Sequence, residues 1–150
     1  MTTLNERLFT DHRIAVMGIV NVTPDSFSDG GRFDTTSRAL SHAHELADRG
    51  ATIIDIGGES TRPGSEGVDV PTELERVIPV IEALHNERPE LIVSIDTSKP
   101  EVARAAFEAG ATILNDVTGA TAEGMLDVVA DQGASVVLMH MRGLPRTMQK

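Results

Sequence analysis

Three segments of this chain repeat one short pattern, and the repeat restricts the fold more than any other feature of the sequence. The segments are GATIID from Gly50, GATILND from Gly110 and GASVVLMH from Gly133. Each begins with a glycine, which readily takes the left-handed conformation that ends a helix. Each continues as a β-branched run typical of a buried strand, and closes on a polar or ionisable residue. The pattern predicts strands that follow helices.

Two further runs, RIAVMGIVN and LIVSIDTS, have the same apolar-then-polar order without the leading glycine. They raise the number of predicted strands to five. Between the strands, apolar residues recur at helical spacing. One helix is predicted to start at a capping box, Ser98–Glu101, with proline in its first turn, and to extend to about Ala109. The strands are expected near 14–20, 52–56, 91–95, 112–115 and 135–139.

The alternation of strands and helices predicts an α/β fold with a parallel sheet. Periodicity leaves two architectures open: a doubly wound five-stranded sheet, or about five units of a (β/α)8 barrel, which takes about 250 residues. Both place functional residues at the carboxyl ends of the strands. We therefore expect a catalytic or ligand-binding face at that end, where the long polar loops lie: NVTPDSFSDGG, GGESTRPGSEG, DTSK, NDVTG and HMRGLPRTMQ.

Composition argues against several classes of function. A net charge of −10 argues against binding nucleic acid through its phosphates. No apolar run approaches the roughly 20 residues of a membrane-spanning helix, and the charged N-terminus has no signal-peptide core. The absence of cysteine excludes disulfides and thiolate metal sites. We expect a cytoplasmic protein that acts on small molecules, with neither nucleic acid nor membrane as a partner.

The polar residues of these loops suit particular ligands. The segment GGESTRPG supplies two hydroxyls, glycine amides and Arg62, a set that fits a phosphate or diphosphate, although a plain surface loop is the alternative. Asp96 and Asn115, each at the end of an apolar strand, fit the edge of a flat heterocycle unless they cap the following helices. Asn21 fits a Mg²⁺ ion held mainly by water and phosphate, or a local turn. Asp55 is expected inside the sheet, in a supporting role that gives its carboxylate hydrogen-bond partners.

Five motifs together closely resemble dihydropteroate synthase of the folate pathway. They are MGIVNVTPDSFSDGGRF, IIDIGGESTRPG, VSIDTSKPEVA, ILNDVTG and LMHMRG, and the similarity extends from about Val16 to the end of the chain. The resemblance implies a (β/α)8 TIM barrel, of which residues 1–150 form the N-terminal portion of a single pterin-binding domain, up to strand 5. It also implies a transferase, the target of sulfonamides, that forms a homodimer at full length.

The reaction implied by the resemblance joins 4-aminobenzoate to the (7,8-dihydropterin-6-yl)methyl group and releases diphosphate, with Mg²⁺ as cofactor. In the matched motifs, Asn21 would contact the metal and the diphosphate. Thr61 and Arg62 would meet the diphosphate. Asp96 and Asn115 would hold the pterin.

Four further residues complete the implied site. Met139 would line the pterin pocket, and Phe27 and Pro63 would flank the aminobenzoate. Asp29 would help close the first loop. In the implied mechanism, loss of diphosphate leaves a methylene cation that is delocalised into the ring. The resemblance gives the stabilisation of the departing charge to the metal and arginine, and that of the ring to the aspartate of SIDTS.

The sequence stops at Lys150, before the motifs of the later strands, among them a strand-end lysine and a Ser-Arg-x-His motif. We therefore expect a fragment of a longer synthase, with no normal turnover by the 150-residue chain alone. A pterin-binding protein or inactive paralogue without synthase activity is the alternative. A methyltransferase barrel that uses methyltetrahydrofolate is a third hypothesis, although it has no need of the diphosphate and aminobenzoate loops.

Overall fold

Five strands alternate with four helices in the computed structural model, which describes residues 8, 14–23, 32–59 and 67–139. Each of the five predicted strands is present, within a few residues of its expected bounds. The strands are β1 Met17–Asn21, β2 Ile53–Gly57, β3 Ile92–Asp96, β4 Ile113–Asp116 and β5 Ser135–Leu138. The helices are α1 Arg32–Asp48, α2 Val70–Glu87, α3 Pro100–Glu108 and α4 Met125–Gln132.

The strands form one parallel sheet in the order β1-β2-β3-β4-β5. A doubly wound sheet reverses the direction in which strands are added, and carries helices on both faces. Here each strand pairs with the next in sequence, and each helix packs against the next helix in one layer. This order rules out the doubly wound sheet and agrees with successive units of a (β/α)8 barrel.

The two faces of the sheet carry different clusters, because side chains alternate between the faces along a strand. Ile54 and Ile95 are fully buried in the large cluster that includes the helices. On the opposite face, here called the inner face, Ile53, Ile92 and Ile113 form a separate apolar cluster. This second cluster is an apolar floor below the polar residues at the carboxyl ends of the strands.

The helix starts differ in how well the sequence predicts them. Asp69 caps α2 by accepting a hydrogen bond from the Thr72 N–H at 3.0 Å. The Thr72 side chain and then this N–H lower the pKa of the Asp69 carboxyl. The capping box predicted at Ser98–Glu101 is wrong, since Lys99 is the N-cap of α3 and makes no side-chain cap bond. Ser98 therefore lies one residue too early, and the Thr97 hydroxyl accepts the Lys99 N–H at 3.2 Å instead.

The outer strands of the described sheet, β1 and β5, carry exposed apolar side chains. Ile19 in β1 is 59% exposed and Leu138 in β5 is 58% exposed, and Ile14 ahead of β1 is 88% exposed. Apolar edge strands are normally paired or covered. In the part of the chain that the structure describes, no helix has the length and apolar character needed to cross a membrane.

Candidate functional site

Four residues at the carboxyl ends of neighbouring strands form one row across the inner face. Asn21 is the register partner of Gly57, Gly57 of Asp96, and Asp96 of Asn115. Register partners in a parallel sheet lie side by side on the same face. The three polar residues that the sequence singled out at strand ends are thus brought together. We call Asn21, Gly57, Asp96 and Asn115 the carboxyl-end row.

Gly57 leaves a gap in the middle of this row. A Cβ atom at this position would lie 3.5 Å from Asp96 Oδ2 and 3.6 Å from Asn21 Oδ1. Both oxygens therefore face the space that a larger residue would occupy. The gap gives a ligand direct access to a carboxylate and to an amide oxygen at once.

Asp96 is the ionisable residue of the row, and the pKa of its carboxyl is strongly raised. Burial raises the pKa of its carboxyl most, and the negative charges of Asp55, Asp116, Glu73 and Glu59 raise it further, to about 7. The carboxyl is therefore half protonated near neutral pH. A partly buried carboxyl in this state, at the mouth of a parallel sheet, is typical of a functional site.

Asn115 is held by a residue from the row below. Its Nδ2 donates a hydrogen bond to Oδ2 of Asp55 at 2.9 Å, across 60 positions of sequence. Asp55 is only 2% exposed, so the expectation that it lies inside the sheet and has a hydrogen-bond partner is confirmed. Asn115 thus makes its side-chain contact within the sheet and does not cap the following helix.

The turn after β4 is instead organised by Asp116, which faces away from the carboxyl-end row. Its Oδ1 accepts hydrogen bonds from the Thr118 N–H at 2.7 Å and from the Thr118 hydroxyl at 2.8 Å. Its Oδ2 accepts the Ala120 N–H at 3.0 Å. The structural role in the motif ILNDVTG therefore belongs to Asp116, which leaves Asn115 available to a ligand.

A partly buried ion cluster, in which Glu73 is the fully buried member, joins three segments of the chain. The Lys99 ammonium donates to Glu59 Oε2 at 2.5 Å and to Glu73 Oε2 at 2.6 Å, and the Glu73 side chain is fully buried. Burial by itself lowers the pKa of Lys99, but these two hydrogen bonds outweigh it and raise the pKa above its ordinary value. Glu59 Oε2 also accepts the Val68 N–H at 3.2 Å. The cluster therefore connects Glu59 and Val68 to α2 and to the N-cap of α3.

The sequence analysis missed this cluster, although one signal was present. Glu73 falls on the same helical face of α2 as Val77, Ile81 and Leu84, all of them buried. A glutamate within an apolar stripe implies a buried partner of opposite charge. The stripe does not identify that partner, because Lys99 is 26 residues further along the chain.

Comparison with known proteins identifies the family and the fold. The family model described as "Pterin binding enzyme" matches residues 17–150, nearly nine-tenths of the chain. The chain belongs to the family of pterin-binding enzymes. Its sequence is 54% identical over 135 residues to the dihydropteroate synthase of Escherichia coli (strain K12), a match that covers 90% of this chain and 48% of that protein.

Solved structures of dihydropteroate synthases give the same result. The Xanthomonas albilineans enzyme with 4-aminobenzoic acid matches with a TM-score of 0.81 and 58% identity, over 87% of this chain and 48% of that one. The same enzyme in complex with 7,8-dihydropteroate matches with a TM-score of 0.76 and 54% identity, over 87% and 47%. The resemblance and fold class inferred from the motifs are confirmed. The chain spans about half the length of the relatives that it matches.

Four of the residues that the resemblance placed in the site lie in the described ranges. Asn21, Asp96 and Asn115 belong to the carboxyl-end row. Met139 lies two residues after Val137, the register partner of Asn115, and is 41% exposed. The remaining assigned residues lie outside the described residues: Phe27, Asp29, Thr61, Arg62 and Pro63.

The donor set of the row limits the kind of metal ion it suits. The described residues contain no group of three or more His, Cys, Asp or Glu side chains that could hold a metal ion. Asn21 Oδ1 nevertheless faces the gap at Gly57, where it offers one neutral oxygen. A single amide oxygen suits Mg²⁺, which is commonly bound through few protein ligands together with water and substrate phosphates. Within the described ranges, the residues therefore fit Mg²⁺ carried with a phosphorylated ligand.

Proposed function

We propose that residues 1–150 are the N-terminal portion of a dihydropteroate synthase of folate biosynthesis. The proposed reaction joins 4-aminobenzoate to (7,8-dihydropterin-6-yl)methyl diphosphate, giving 7,8-dihydropteroate and diphosphate. The observation that carries the proposal is the carboxyl-end row, in which Asn21 and Asp96 flank the gap at Gly57 and Asn115 lies next to Asp96. The X. albilineans enzyme, solved with 4-aminobenzoic acid and with 7,8-dihydropteroate, supports the choice of substrate and product.

The pterin ring is assigned to Asp96, Asn115 and Met139. Carboxylate and amide groups recognise the donors and acceptors along the edge of such a ring, and a methionine side chain packs on its face. When diphosphate leaves, positive charge spreads from the methylene carbon into the ring. The Asp96 carboxylate, fixed beforehand in a partly buried position, stabilises that charge. The neutral amine of 4-aminobenzoate then attacks the methylene carbon, and the new C–N bond is completed by loss of a proton from the nitrogen to solvent or to the departing diphosphate.

The diphosphate is assigned to Asn21, Thr61 and Arg62. Arginine presents a planar fork of N–H donors that matches phosphate oxygens, and a threonine hydroxyl adds another donor. Asn21 would be the protein ligand of Mg²⁺, which, when bound, supplies positive charge to the leaving diphosphate. Phe27 and Pro63 are assigned to the aminobenzoate.

The remaining assignments concern closure of the first loop and completion of the barrel in the full-length protein. Asp29 is assigned to closing the first loop over the substrates, which excludes water from the reacting carbon. The apolar side chains exposed on β1 and β5 support further barrel strands at both edges, as does the match to about half of each relative. The 150 residues alone are then expected to lack turnover. A homodimer in the cytoplasm completes the proposal.

A binding experiment separates this function from its alternatives. In the protein expressed from its complete reading frame, calorimetry is expected to show that (7,8-dihydropterin-6-yl)methyl diphosphate binds more tightly with Mg²⁺ than with EDTA. Adding 4-aminobenzoate should then release diphosphate. Pterin binding without diphosphate release supports a binding protein that has lost synthase activity. Mg²⁺-independent binding argues against the diphosphate site and favours a methyltransferase-type barrel.

Filling the gap at Gly57 is expected to impair binding while preserving the fold. In Gly57→Ala, the new methyl group makes ordinary contacts of 3.5–3.6 Å, so the free energy of unfolding should stay within about 1 kcal/mol of wild type. The methyl group occupies the space between Asn21 and Asp96. The dissociation constant for the pterin diphosphate should therefore rise about tenfold, equivalent to losing one good contact.

Gly18→Ala is the matched control on the opposite face of the sheet. Its Cβ would lie 3.0 Å from Leu46 Cδ1 and 3.1 Å from Leu46 Cβ, tighter than ordinary contacts, so the Leu46 side chain must shift to make room. This variant should lose about 1–3 kcal/mol of stability and keep its ligand affinity. Wild-type affinity in Gly57→Ala contradicts the placement of the ligand in the gap.

A further inference from the structure

Asp55 is a buried carboxylate to which the proposed chemistry gives no task. It lies on the inner face of β2, in register with Ser94 of β3 and one row below the carboxyl-end row. A carboxylate that is only 2% exposed is costly unless it is hydrogen-bonded. The hydrogen bond from Asn115, at 2.9 Å, offsets part of this cost. The presence of a carboxylate at this buried position therefore requires an explanation.

The contact fixes the direction in which the Asn115 amide faces. An ionised carboxylate only accepts hydrogen bonds, and an amide nitrogen only donates them. Asp55 Oδ2 therefore selects the orientation in which the Asn115 nitrogen points into the sheet. The carbonyl oxygen and the second N–H of Asn115 are then presented to a ligand in a defined arrangement. Without the acceptor, the terminal torsion of an asparagine is broad and roughly two-fold, so the amide loses that preference.

Apart from Asn115, the Asp55 carboxylate has few hydrogen-bond partners in the described part of the chain. Asp55 Oδ1 has no hydrogen-bond partner among the described residues, and neither does the buried Ser94 hydroxyl beside it. Within the same ranges, Asn115 is the residue that donates to Asp55. A neutral side chain would fill this interior position without the desolvation of a carboxylate. The charged acceptor is therefore best explained by the contact it makes.

We propose that Asp55 is a positioning residue for the pterin site, which holds the Asn115 amide in the single orientation that recognises the ring. This inference rests on the proposed function, because it assigns the pterin to Asn115. In this proposal Asp55 does not touch the ligand. Its charge also raises the pKa of Asp96, so binding is measured above that pKa, where the effect of Asp55 passes through the Asn115 amide.

A double-mutant cycle tests this dependence in the protein expressed from its complete reading frame. The probe is 6-hydroxymethylpterin, which carries the ring without the diphosphate, and the measurement is its dissociation constant at pH 8.5. Asp55→Ala is expected to weaken binding about tenfold, which is the range for losing a hydrogen bond to a charged group. In an Asn115→Ala background, the same substitution should change the affinity less than about twofold, since the residue it positions is gone.

Two further variants separate positioning from folding. Asp55→Asn keeps a carbonyl oxygen that accepts from Asn115, so its affinity should stay within about threefold of wild type. Ser94→Ala removes a buried hydroxyl from the neighbouring register position without touching Asn115, and should bind as wild type does. Melting temperatures measured for every variant confirm that each one folds.

Three results overturn the inference while leaving the proposed function intact. They are wild-type affinity in Asp55→Ala, an undiminished Asp55→Ala effect in the Asn115→Ala background, and an Asp55→Asn variant as weak as Asp55→Ala. A different result, wild-type protein that does not bind the pterin, overturns the proposed function and the inference with it. Tenfold weaker binding in Asp55→Ala, with recovery in Asp55→Asn and no added effect on Asn115→Ala, supports the inference.

Discussion

Replacing Asp96 with asparagine is expected to lower the turnover number for dihydropteroate formation about 100-fold. The substitution keeps the shape of the side chain and its place in the carboxyl-end row. In the proposed mechanism, it removes the negative charge that stabilises the pterin ring as positive charge develops there. Loss of one preorganised electrostatic group at a reacting centre typically costs about 100-fold to 1,000-fold in turnover.

The measurement is steady-state kinetics of the protein expressed from its complete reading frame, with both substrates varied. Asp131→Asn is the control, because Asp131 is an exposed aspartate in the last turn of α4, at the end of the helix opposite the β4–α4 connection. It should keep the wild-type turnover number. A turnover number within about threefold of wild type in Asp96→Asn contradicts an electrostatic role for Asp96.

The raised pKa of Asp96 gives this prediction a pH signature. With a pKa of about 7, the carboxylate is the minor form below neutral pH and the major form above it. The value of kcat/KM should therefore rise about tenfold between pH 6 and pH 8 and then level off. In Asp96→Asn this rise should be absent.

Stability should change with pH in the opposite direction. The folded protein keeps the Asp96 proton up to a pH of about 7, whereas the unfolded chain releases it near its ordinary pKa of 3.8. Between these values the folded state binds more protons than the unfolded state does. The contribution of this group to the free energy of unfolding is therefore complete below pH 3.8 and is lost as the pH rises to about 7. The Asp96→Asn variant should lack this part of the pH dependence.

Replacing Lys99 with methionine is expected to lower the free energy of unfolding by about 3 kcal/mol. Glu73 is fully buried, and Lys99 is its charged partner at 2.6 Å. Removal of one member of a buried pair leaves an uncompensated charge, which typically costs about 3–5 kcal/mol. Glu59, which is 30% exposed, loses the same partner but is reached by solvent.

Urea denaturation of three variants measures this effect. In Lys99→Met/Glu73→Leu, both buried charges are gone and most of the lost stability should return. Arg88→Met is the surface control, because its partners Asp48 and Glu90 are 71% and 60% exposed. It should cost less than about 1 kcal/mol. Equal losses in Lys99→Met and Arg88→Met contradict the assignment of the Lys99 cluster as a buried structural unit.

The strands are predictable from sequence because their β-branched runs are local signals. Their order is not, because both candidate architectures share one periodicity and differ only in which strands pair. Each strand pairs with the next, as in Ile54 with Val93, and the helices pack in one layer. Both features depend on contacts between residues far apart in the sequence. The five matched motifs resolve the architecture by family resemblance, without a physical derivation of it.

In the candidate site, too, single residues are predictable from local sequence patterns, whereas the contacts between them are not. Asn21, Asp96 and Asn115 are recognisable as polar residues at the ends of apolar runs. The contacts between Asn115 and Asp55, and between Lys99 and Glu73, join residues 60 and 26 positions apart. No local pattern specifies such pairs, since each depends on which strands become neighbours.

The capping box shows how a local rule fails. The motif Ser98–Glu101 has the required residue types, but α3 begins one residue later than the motif requires. Lys99 takes the N-cap position while its side chain reaches Glu59 and Glu73. The residue at the displaced helix start is thus the one that makes the tertiary contacts of the ion cluster. The Thr97 hydroxyl accepts the hydrogen bond that the Lys99 N–H donates.

The most direct test of the account is to look for the product. The protein expressed from its complete reading frame is incubated with (7,8-dihydropterin-6-yl)methyl diphosphate, 4-aminobenzoate and Mg²⁺, and 7,8-dihydropteroate is quantified by mass spectrometry. We expect one 7,8-dihydropteroate for each diphosphate released, and a rate about 100-fold lower in Asp96→Asn. Folded protein that binds the pterin diphosphate but forms no 7,8-dihydropteroate would contradict it.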